Sequence, residues 1–207
     1  MFTDIINALG AAIVTVIGTT GYFGIAALMA IESMCIPLPS ELIMPFAGYL
    51  VSTGQLSLIW VATAGAVGCN IGSTIAYYIG ARGGRPAVER WGKYVLLDQK
   101  DLVRAQAFFE RFGSLAVFIG RLLPVVRTFI ALPAGFARMD MIKFQVFSFV
   151  GSWIWCWLLA YIGAQLGAQW DANPSLRTAL HGADAVIVIA GLAAIGWFVY
   201  RRVRHAR

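Results

Sequence analysis

The sequence predicts an all-α integral membrane protein with about four transmembrane helices and two opposed re-entrant helical hairpins related as inverted repeats. Apolar residue types make up 59% of the 207 residues and charged types only 13%, whereas about 25% of a soluble domain is charged. The charged residues cluster between long uncharged stretches of the length that crosses a bilayer. Proline and glycine interrupt two further apolar stretches, which predicts broken rather than straight helices there.

Four stretches predict the spanning helices, and they lie near Ile5–Ile31, Leu56–Ile79, Phe144–Trp170 and Asp184–Tyr200. Glycines between Gly18 and Gly24 favour a bend in the first. Small residues along the second predict close helix packing, and they are Gly65, Gly68, Gly72 and Ser73. The composition excludes a cytosolic globule, a disordered chain and a disulfide scaffold. The cysteines have no metal-ligand spacing, and we expect no metal and no cofactor. The basic residues lie mainly in the central polar stretch and the tail, which indicates membrane topology, so we expect no nucleic-acid partner.

Two interrupted apolar segments, near 32–55 and 114–137, predict hairpins that enter and leave the membrane on the same side. The residues predicted to break them are Pro37, Pro39, Pro45 and Gly48 in the first, and Pro124, Pro133 and Gly135 in the second. Irregular backbone at membrane depth persists only where protein or a wet cavity covers it. We therefore expect both hairpins to be covered in this way.

The distribution of Lys and Arg predicts the orientation. The segment near 82–113 and the tail after Tyr200 are basic, which predicts that both lie in the cytoplasm together with the N-terminus. Within that segment, Asp98–Phe112 is predicted to be an amphipathic helix on the membrane surface, or else a plain packed loop helix. Its apolar stripe consists of Leu102, Ala105, Phe109 and Phe112. We treat residues 1–207 as a single membrane domain.

The two halves of the sequence resemble each other. Ala47-Gly48 and the later run Tyr78-Ile-Gly-Ala81 correspond to Ala134-Gly135 and the run Tyr161-Ile-Gly-Ala164. The charge pattern gives the two copies opposite orientations, and inverted repeats with broken helices are typical of transporters. A chance match between such short motifs is the alternative.

Four charged residues lie in or beside the predicted hairpins, and they are Glu32, Glu41, Arg121 and Arg127. A charge at the bilayer centre costs about 2.5–3.5 kcal/mol on insertion scales, so these groups must pair, meet water or lie near a membrane face. One interpretation is a structural network of Glu and Arg. The other is a transport site, in which the arginines bind a phosphate at a half-helix beginning near Pro124. The glutamates then neutralise the arginines between transport events and exchange protons, because a desolvated carboxylate binds a proton more readily.

The segments Glu32–Gly48 and Phe118–Arg127, with Pro133-Ala-Gly135, resemble the DedA family of bacterial membrane proteins. That family is related to the eukaryotic lipid scramblases of the vacuole-membrane-protein type. The resemblance covers roughly residues 10–200 and implies opposed re-entrant hairpins and lipid translocation, driven in some members by proton-motive force. It implies that Glu32 and Glu41 are an essential acidic pair and that Arg121 and Arg127 are its basic partners.

We therefore expect a flippase, and not an enzyme, that moves a phosphate-headed lipid across the bacterial plasma membrane. The favoured substrate is undecaprenyl phosphate, the recycled carrier lipid of the cell envelope, and protons are the candidate coupling ion. One alternative is a scramblase for phospholipids such as phosphatidylethanolamine, without proton coupling. Others are a structural scaffold and a lipid-phosphate phosphatase, although the sequence offers no obvious nucleophile or metal cluster for the latter.

Overall fold

The computed structural model describes residues 12–36, 38, 40–95, 99–124 and 126–169, without the side chains of 84–106, 110 and 168–169. The predicted fourth span Asp184–Tyr200, the basic tail, Pro37 and Pro39 lie outside these residues. Within them, every regular element is a helix, which confirms the predicted all-α class for this part of the chain. The helices are α1 (12–20), α2 (Tyr22–Ser33), α3 (Ser40–Ser52), α4 (Leu58–Val95), α5 (Gln99–Arg121), α6 (Val126–Phe129), α7 (Ala131–Phe136) and α8 (Met141–Gln169).

Two of these helices are long and apolar enough to cross a membrane. They are Leu58–Gly83 within α4 and Met141–Gly167 within α8, and they coincide with the second and third predicted spans. Beyond Gly83, α4 continues as a helix through the basic segment to Val95.

The first predicted span, Ile5–Ile31, is not one continuous helix. The chain leaves α1 at Gly21, whose φ of 58° and ψ of −128° only glycine adopts readily, and α2 begins at Tyr22. The break falls within the interval Gly18 to Gly24, where the sequence favours a bend. With 12 residues, α2 is only about 18 Å long, which is too short to cross a bilayer alone.

Two helix–turn–helix units stand where the sequence predicts hairpins. The first joins α2 to α3, so it begins at Tyr22 and extends further toward the N-terminus than the predicted 32–55. The second begins after a kink in α5 at Gly113, with φ 55° and ψ −139°, and ends with α7, close to the predicted 114–137. Pro124 lies in the turn between α5 and α6, as predicted for a hairpin-breaking residue.

Four of the residues predicted to break the hairpins lie inside helices instead. Pro45 and Gly48 belong to α3, and Pro133 and Gly135 belong to α7. Pro45 has no backbone N–H group, so one helical hydrogen bond of α3 is lost. Close packing on α8 offsets this loss, because a Cβ added at Gly163 would lie only 2.1 Å from the Pro45 carbonyl oxygen. Pro133 falls in the first turn of α7, where a backbone N–H has no helical partner.

Glycines bring the helix backbones into direct contact. On α4, added Cβ atoms at Gly68 and Gly72 would lie 2.2 and 2.0 Å from carbonyl oxygens of α2, so the predicted close packing of the second span is with α2. Gly48 of α3 approaches α8, where a Cβ would lie 2.0 Å from the Ala160 carbonyl oxygen. Gly135 of α7 approaches α4 in the same way, 2.2 Å from the Tyr77 carbonyl oxygen. The short helices α3 and α7 therefore each pack on the long helix of the other half, whereas α2 packs on α4 of its own half.

The predicted apolar stripe on Asp98–Phe112 does not form one buried face. Phe109 is 7% exposed whereas Phe112 is 49% exposed. Phe109 packs in a cluster with residues of α7 and α8, whereas Phe112 immediately precedes the kink at Gly113. The side chains of Leu102 and Ala105 lie outside the described residues.

Candidate functional site

A buried ion pair joins the two helix–turn–helix units. The Arg127 Nη2 atom lies 3.0 Å from the Glu32 Oε2 atom, and the two residues are 1% and 3% exposed. Glu32 stands in the last turn of α2, and Arg127 is the second residue of α6. Because a buried charge without a partner is costly, the pair explains how both groups remain in an apolar environment.

The turn of the first unit also contacts α6 of the second unit. Cys35 turns the chain after α2 with a positive φ of 67°, and its Sγ atom lies 3.4 Å from the Thr128 carbonyl oxygen of α6. The ion pair and this contact lie at the broken ends of the helices, where backbone groups are free of helical partners. This contact links the turn after α2 to α6, whereas Ile36 and Leu123 in the turns of the two units are exposed, so the expected covering of both hairpins stays a prediction.

The second arginine is anchored to α4. Arg121 is the last residue of α5 and is 1% exposed. Its Nη2 atom donates to the Ser73 hydroxyl group, which in turn donates to the Cys69 carbonyl oxygen. The Cys69 Sγ atom lies 3.5 Å from the Nη2 atom of Arg127. One face of α4 thus supports both guanidinium groups.

The two guanidinium groups have more donors than the described residues satisfy. Arg121 Nε, Arg121 Nη1 and Arg127 Nη1 are buried, and no hydrogen-bond acceptor among the described residues reaches them. A buried donor without a partner costs about 1–3 kcal/mol, and more when the group is charged. Two buried cations face the single carboxylate of Glu32, so the site has donors and positive charge available for an anion.

Glu41 does not join this cluster directly. It is the second residue of α3 and is half-buried. It forms no ion pair with any residue in the part of the chain that the structure describes, although it lies within electrostatic range of Glu32 and Arg127. The structure therefore unites Glu32, Arg121 and Arg127 and leaves Glu41 at the edge.

Sequence reasoning missed three residues of the site. The sequence predicts only a packing role for Ser73, whereas its hydroxyl group accepts a hydrogen bond from Arg121. Cys69 lies one turn away on the same helix and contacts Arg127. The Trp155 ring centroid lies 5.4 Å from Arg127 Cζ, a cation–π distance. The spacing of Cys69 and Ser73 places them on one helical face, but no signal in the sequence pairs that face with the arginines.

No metal site accompanies this cluster in the described ranges, where no group of three or more His, Cys, Asp or Glu side chains could hold an ion. A cavity of about 300 Å³ opens elsewhere, at the kink of α5. Its lining residues are Phe109, Gly113, Ser114, Ala137, Met139, Asp140 and Lys143. None of Glu32, Glu41, Arg121 and Arg127 lines it.

Comparison with known proteins identifies relatives of this chain. "Uncharacterized membrane protein YkoX" of Bacillus subtilis is 40% identical over 129 residues, which are 62% of this chain and 57% of that protein. "Undecaprenyl phosphate transporter A" of Bacillus subtilis is 38% identical over 165 residues, or 80% of this chain and 81% of that protein. "Alkaline phosphatase-like protein" of Lactococcus lactis is 31% identical over 185 residues, or 87% and 86%. No solved structure matches the chain.

The family profile of the VTT domain matches residues 38–165. This range is more than half of the chain and contains Glu41 and both arginines, while Glu32 lies just before it. The resemblance found in the sequence is thereby confirmed, and the chain belongs to the VTT domain family, the DedA family of membrane proteins.

Proposed function

We propose that this chain is a flippase that moves a phosphate-headed lipid, undecaprenyl phosphate in the first place, across the bacterial plasma membrane. The observation that carries the proposal is the pair of buried guanidinium groups of Arg121 and Arg127, with three unpartnered donor atoms among the described residues and one carboxylate. Membership of the VTT domain family and the 38% identity to a protein named for undecaprenyl phosphate transport support the same function.

Arg121 and Arg127 bind the lipid phosphate in this proposal. Guanidinium groups present paired N–H donors that match phosphate oxygens, and hydrogen bonds between charged groups are about twice as strong as neutral ones. The free donors are Nε and Nη1 of Arg121 and Nη1 of Arg127. A phosphate that contacts both arginines competes with Glu32 for Arg127 and releases its carboxylate.

The released carboxylate couples transport to protons. When the phosphate engages both arginines, the Glu32 carboxylate is a buried anion without a paired cation, and such a group takes up a proton. Departure of the phosphate reverses the exchange, because Arg127 again favours the ionised carboxylate. Glu41 lies within electrostatic range of this pair, and in the proposal it transfers protons between Glu32 and the aqueous phase.

The proposed architecture has four transmembrane helices, two re-entrant hairpins in inverted repeats and a single domain over 1–207, with both termini in the cytoplasm. The glycine contacts support the repeat. Gly48 of the first half packs on the backbone of α8, and Gly135 of the second half packs on the backbone of α4. Such reciprocal contacts are what a pseudo-two-fold axis between the halves requires.

The experiment that tests the function is transport in sealed liposomes that contain the full chain, undecaprenyl phosphate and an imposed pH gradient. We expect gradient-dependent movement of the lipid by the wild type and its loss in Arg127→Gln. Arg111→Gln is the matched control, because Arg111 is an exposed arginine that lies over Phe112 on α5. Glu32→Gln should retain phosphate binding but lose the response to the gradient.

The same vesicles separate the alternatives. Movement of ordinary phospholipid that ignores the gradient would make the chain a scramblase. Release of inorganic phosphate from the lipid would indicate a phosphatase, the activity that the name of the Lactococcus lactis relative suggests for that protein. Unchanged transport in folded Arg127→Gln would leave the charged cluster with a structural role alone.

A further inference from the structure

One face of α8 lies opposite the two arginines and carries polar atoms without partners. The side-chain atoms Ser148 Oγ, Ser152 Oγ and Trp155 Nε1 are buried, and none has a hydrogen-bond partner in the described part of the chain. These residues are three and four positions apart, so they form one stripe along the helix. The function proposed above does not use them.

Two contacts orient this stripe. At Gly151, beside Ser152, an added Cβ would lie 2.7 Å from the Arg121 Cβ atom. One turn further along α8, the Trp155 ring centroid lies 5.4 Å from Arg127 Cζ. The stripe therefore lies beside both arginines, whose guanidinium groups carry the unpartnered donors.

We infer that Trp155, together with Ser152 and Ser148, forms the neutral half of an anion site whose charged half is Arg121 and Arg127. The Trp155 Nε1–H group donates a hydrogen bond to an oxygen of the lipid phosphate. This inference rests on the proposed function and extends the binding site to a helix and to residue types that the function did not include.

The chemistry of the unpartnered atoms favours this assignment. An indole N–H and guanidinium N–H groups only donate, and a serine hydroxyl can donate as well. A phosphate offers oxygens that accept several hydrogen bonds, so one phosphate satisfies donors from both halves. A neutral donor also adds hydrogen bonds without adding to the positive charge that Glu32 must balance between transport events.

A neighbouring tryptophan shows that an unpartnered indole is not general on α8. Trp153 Nε1 lies 3.3 Å from the Thr63 hydroxyl oxygen, to which it donates. Trp153 also packs against the hydrophobic core. The donor of Trp155 is therefore set apart by its position beside Arg127.

Trp155→Phe tests the inference, and Trp153→Phe is its matched control on the same helix. The full chain is purified in detergent, and the dissociation constants of undecaprenyl phosphate and of undecaprenol are measured by competition. A hydrogen bond to a charged group predicts that Trp155→Phe weakens undecaprenyl phosphate binding about 10-fold or more. Binding of undecaprenol should not change. Trp153→Phe should preserve the preference of the wild type for the phosphate.

Arg127→Gln separates failure of this inference from failure of the proposed function. If Trp155→Phe keeps the full preference for phosphate while Arg127→Gln loses it, the inference is wrong and the proposed function stands. If the wild type binds both lipids equally, the proposed function fails and the inference with it. Should Trp155→Phe not fold, Ser152→Ala takes its place, and an unchanged phosphate preference in that variant overturns the inference.

Discussion

Gly48 and Gly135 make the same backbone contact with opposite long helices. A Cβ at Gly48 would lie 2.0 Å from the Ala160 carbonyl oxygen and 2.8 Å from the Ala164 nitrogen on α8. A Cβ at Gly135 would lie 2.2 Å from the Tyr77 carbonyl oxygen on α4. The shared Tyr-Ile-Gly-Ala run aligns Tyr77 with Ala160, so the two contacts are equivalent. The helices α3 and α7 are thus each held by the long helix of the other half.

Gly48→Ala should destabilise the protein, because its methyl group would overlap backbone atoms that cannot move aside by rotating a side chain. Overpacking of this kind costs about 1–3 kcal/mol. Thermal unfolding of the purified protein in detergent measures the effect. Gly18→Ala is the control, since nothing lies within 4 Å of its added methyl group and alanine favours a helix by about 0.5–1 kcal/mol. If the two variants are equally stable, α3 and α8 do not approach as closely as described.

Much of the fold could be predicted from the sequence because hydrophobicity and charge act locally. The long uncharged stretches that form α4 and α8 predict helices that are long enough to cross a membrane. Pro45 shows the limit, because a proline that predicts a break lies inside α3, where packing on α8 offsets the lost hydrogen bond. The local sequence around Pro45 cannot predict this packing, because α8 is distant in the sequence.

The candidate site was predicted in its residue types but not in its contacts. Buried charge must find a partner, which predicts that Glu32 and Arg127 matter, yet their pairing depends on how two distant turns meet. The contact of Ser73 with Arg121 cannot be predicted for the same reason, since a serine among glycines in a helix is typical of close helix packing. Glu41, which the sequence groups with Glu32, is not part of the ion pair because it lies in the first turn of a different helix, α3.

The variant that combines Glu32→Gln with Arg127→Gln should lose less stability than the sum of the losses in the two single variants. Removing one partner leaves a buried charge uncompensated, which typically costs about 3–5 kcal/mol, whereas removing both charges leaves neutral groups. Unfolding free energies of the two single variants and the double variant form the cycle that measures this coupling. Glu41→Gln serves as the control and should change stability less. Strict additivity of the two substitutions would contradict a direct pair.

Ser73→Ala should weaken the hold of α4 on Arg121. The serine hydroxyl accepts from the Nη2 atom of Arg121, and its removal leaves a buried charged donor unsatisfied, at about 1–3 kcal/mol. We expect a lower unfolding temperature and a smaller stabilisation by added undecaprenyl phosphate, because the ligand stabilises only a site that binds it. Ser52→Ala is the control, since Ser52 is exposed and donates only to the Tyr49 carbonyl oxygen. An unchanged ligand-induced shift in Ser73→Ala would show that Arg121 needs no anchor.

Gly21→Ala and Gly113→Ala should be destabilising for a reason different from that of Gly48→Ala. The two glycines have similar backbone angles, φ 58° with ψ −128° and φ 55° with ψ −139°, and each precedes the first arm of a helix–turn–helix unit. Nothing lies within 4 Å of an added Cβ at either position. A loss of stability would therefore come from backbone strain, at about 1–3 kcal/mol for such a conformation.

The comparison of these two variants tests the equivalence of the halves. Because the two conformations are nearly the same, the unfolding free energies of Gly21→Ala and Gly113→Ala should fall by similar amounts. Gly18→Ala again provides the reference for a helical glycine in open space. A large loss at one position and none at the other would mean that the two turns are not strained alike. Similar losses would support two halves that begin with the same glycine-dependent turn and then diverge, one to carry Glu32 and the other to carry Arg121.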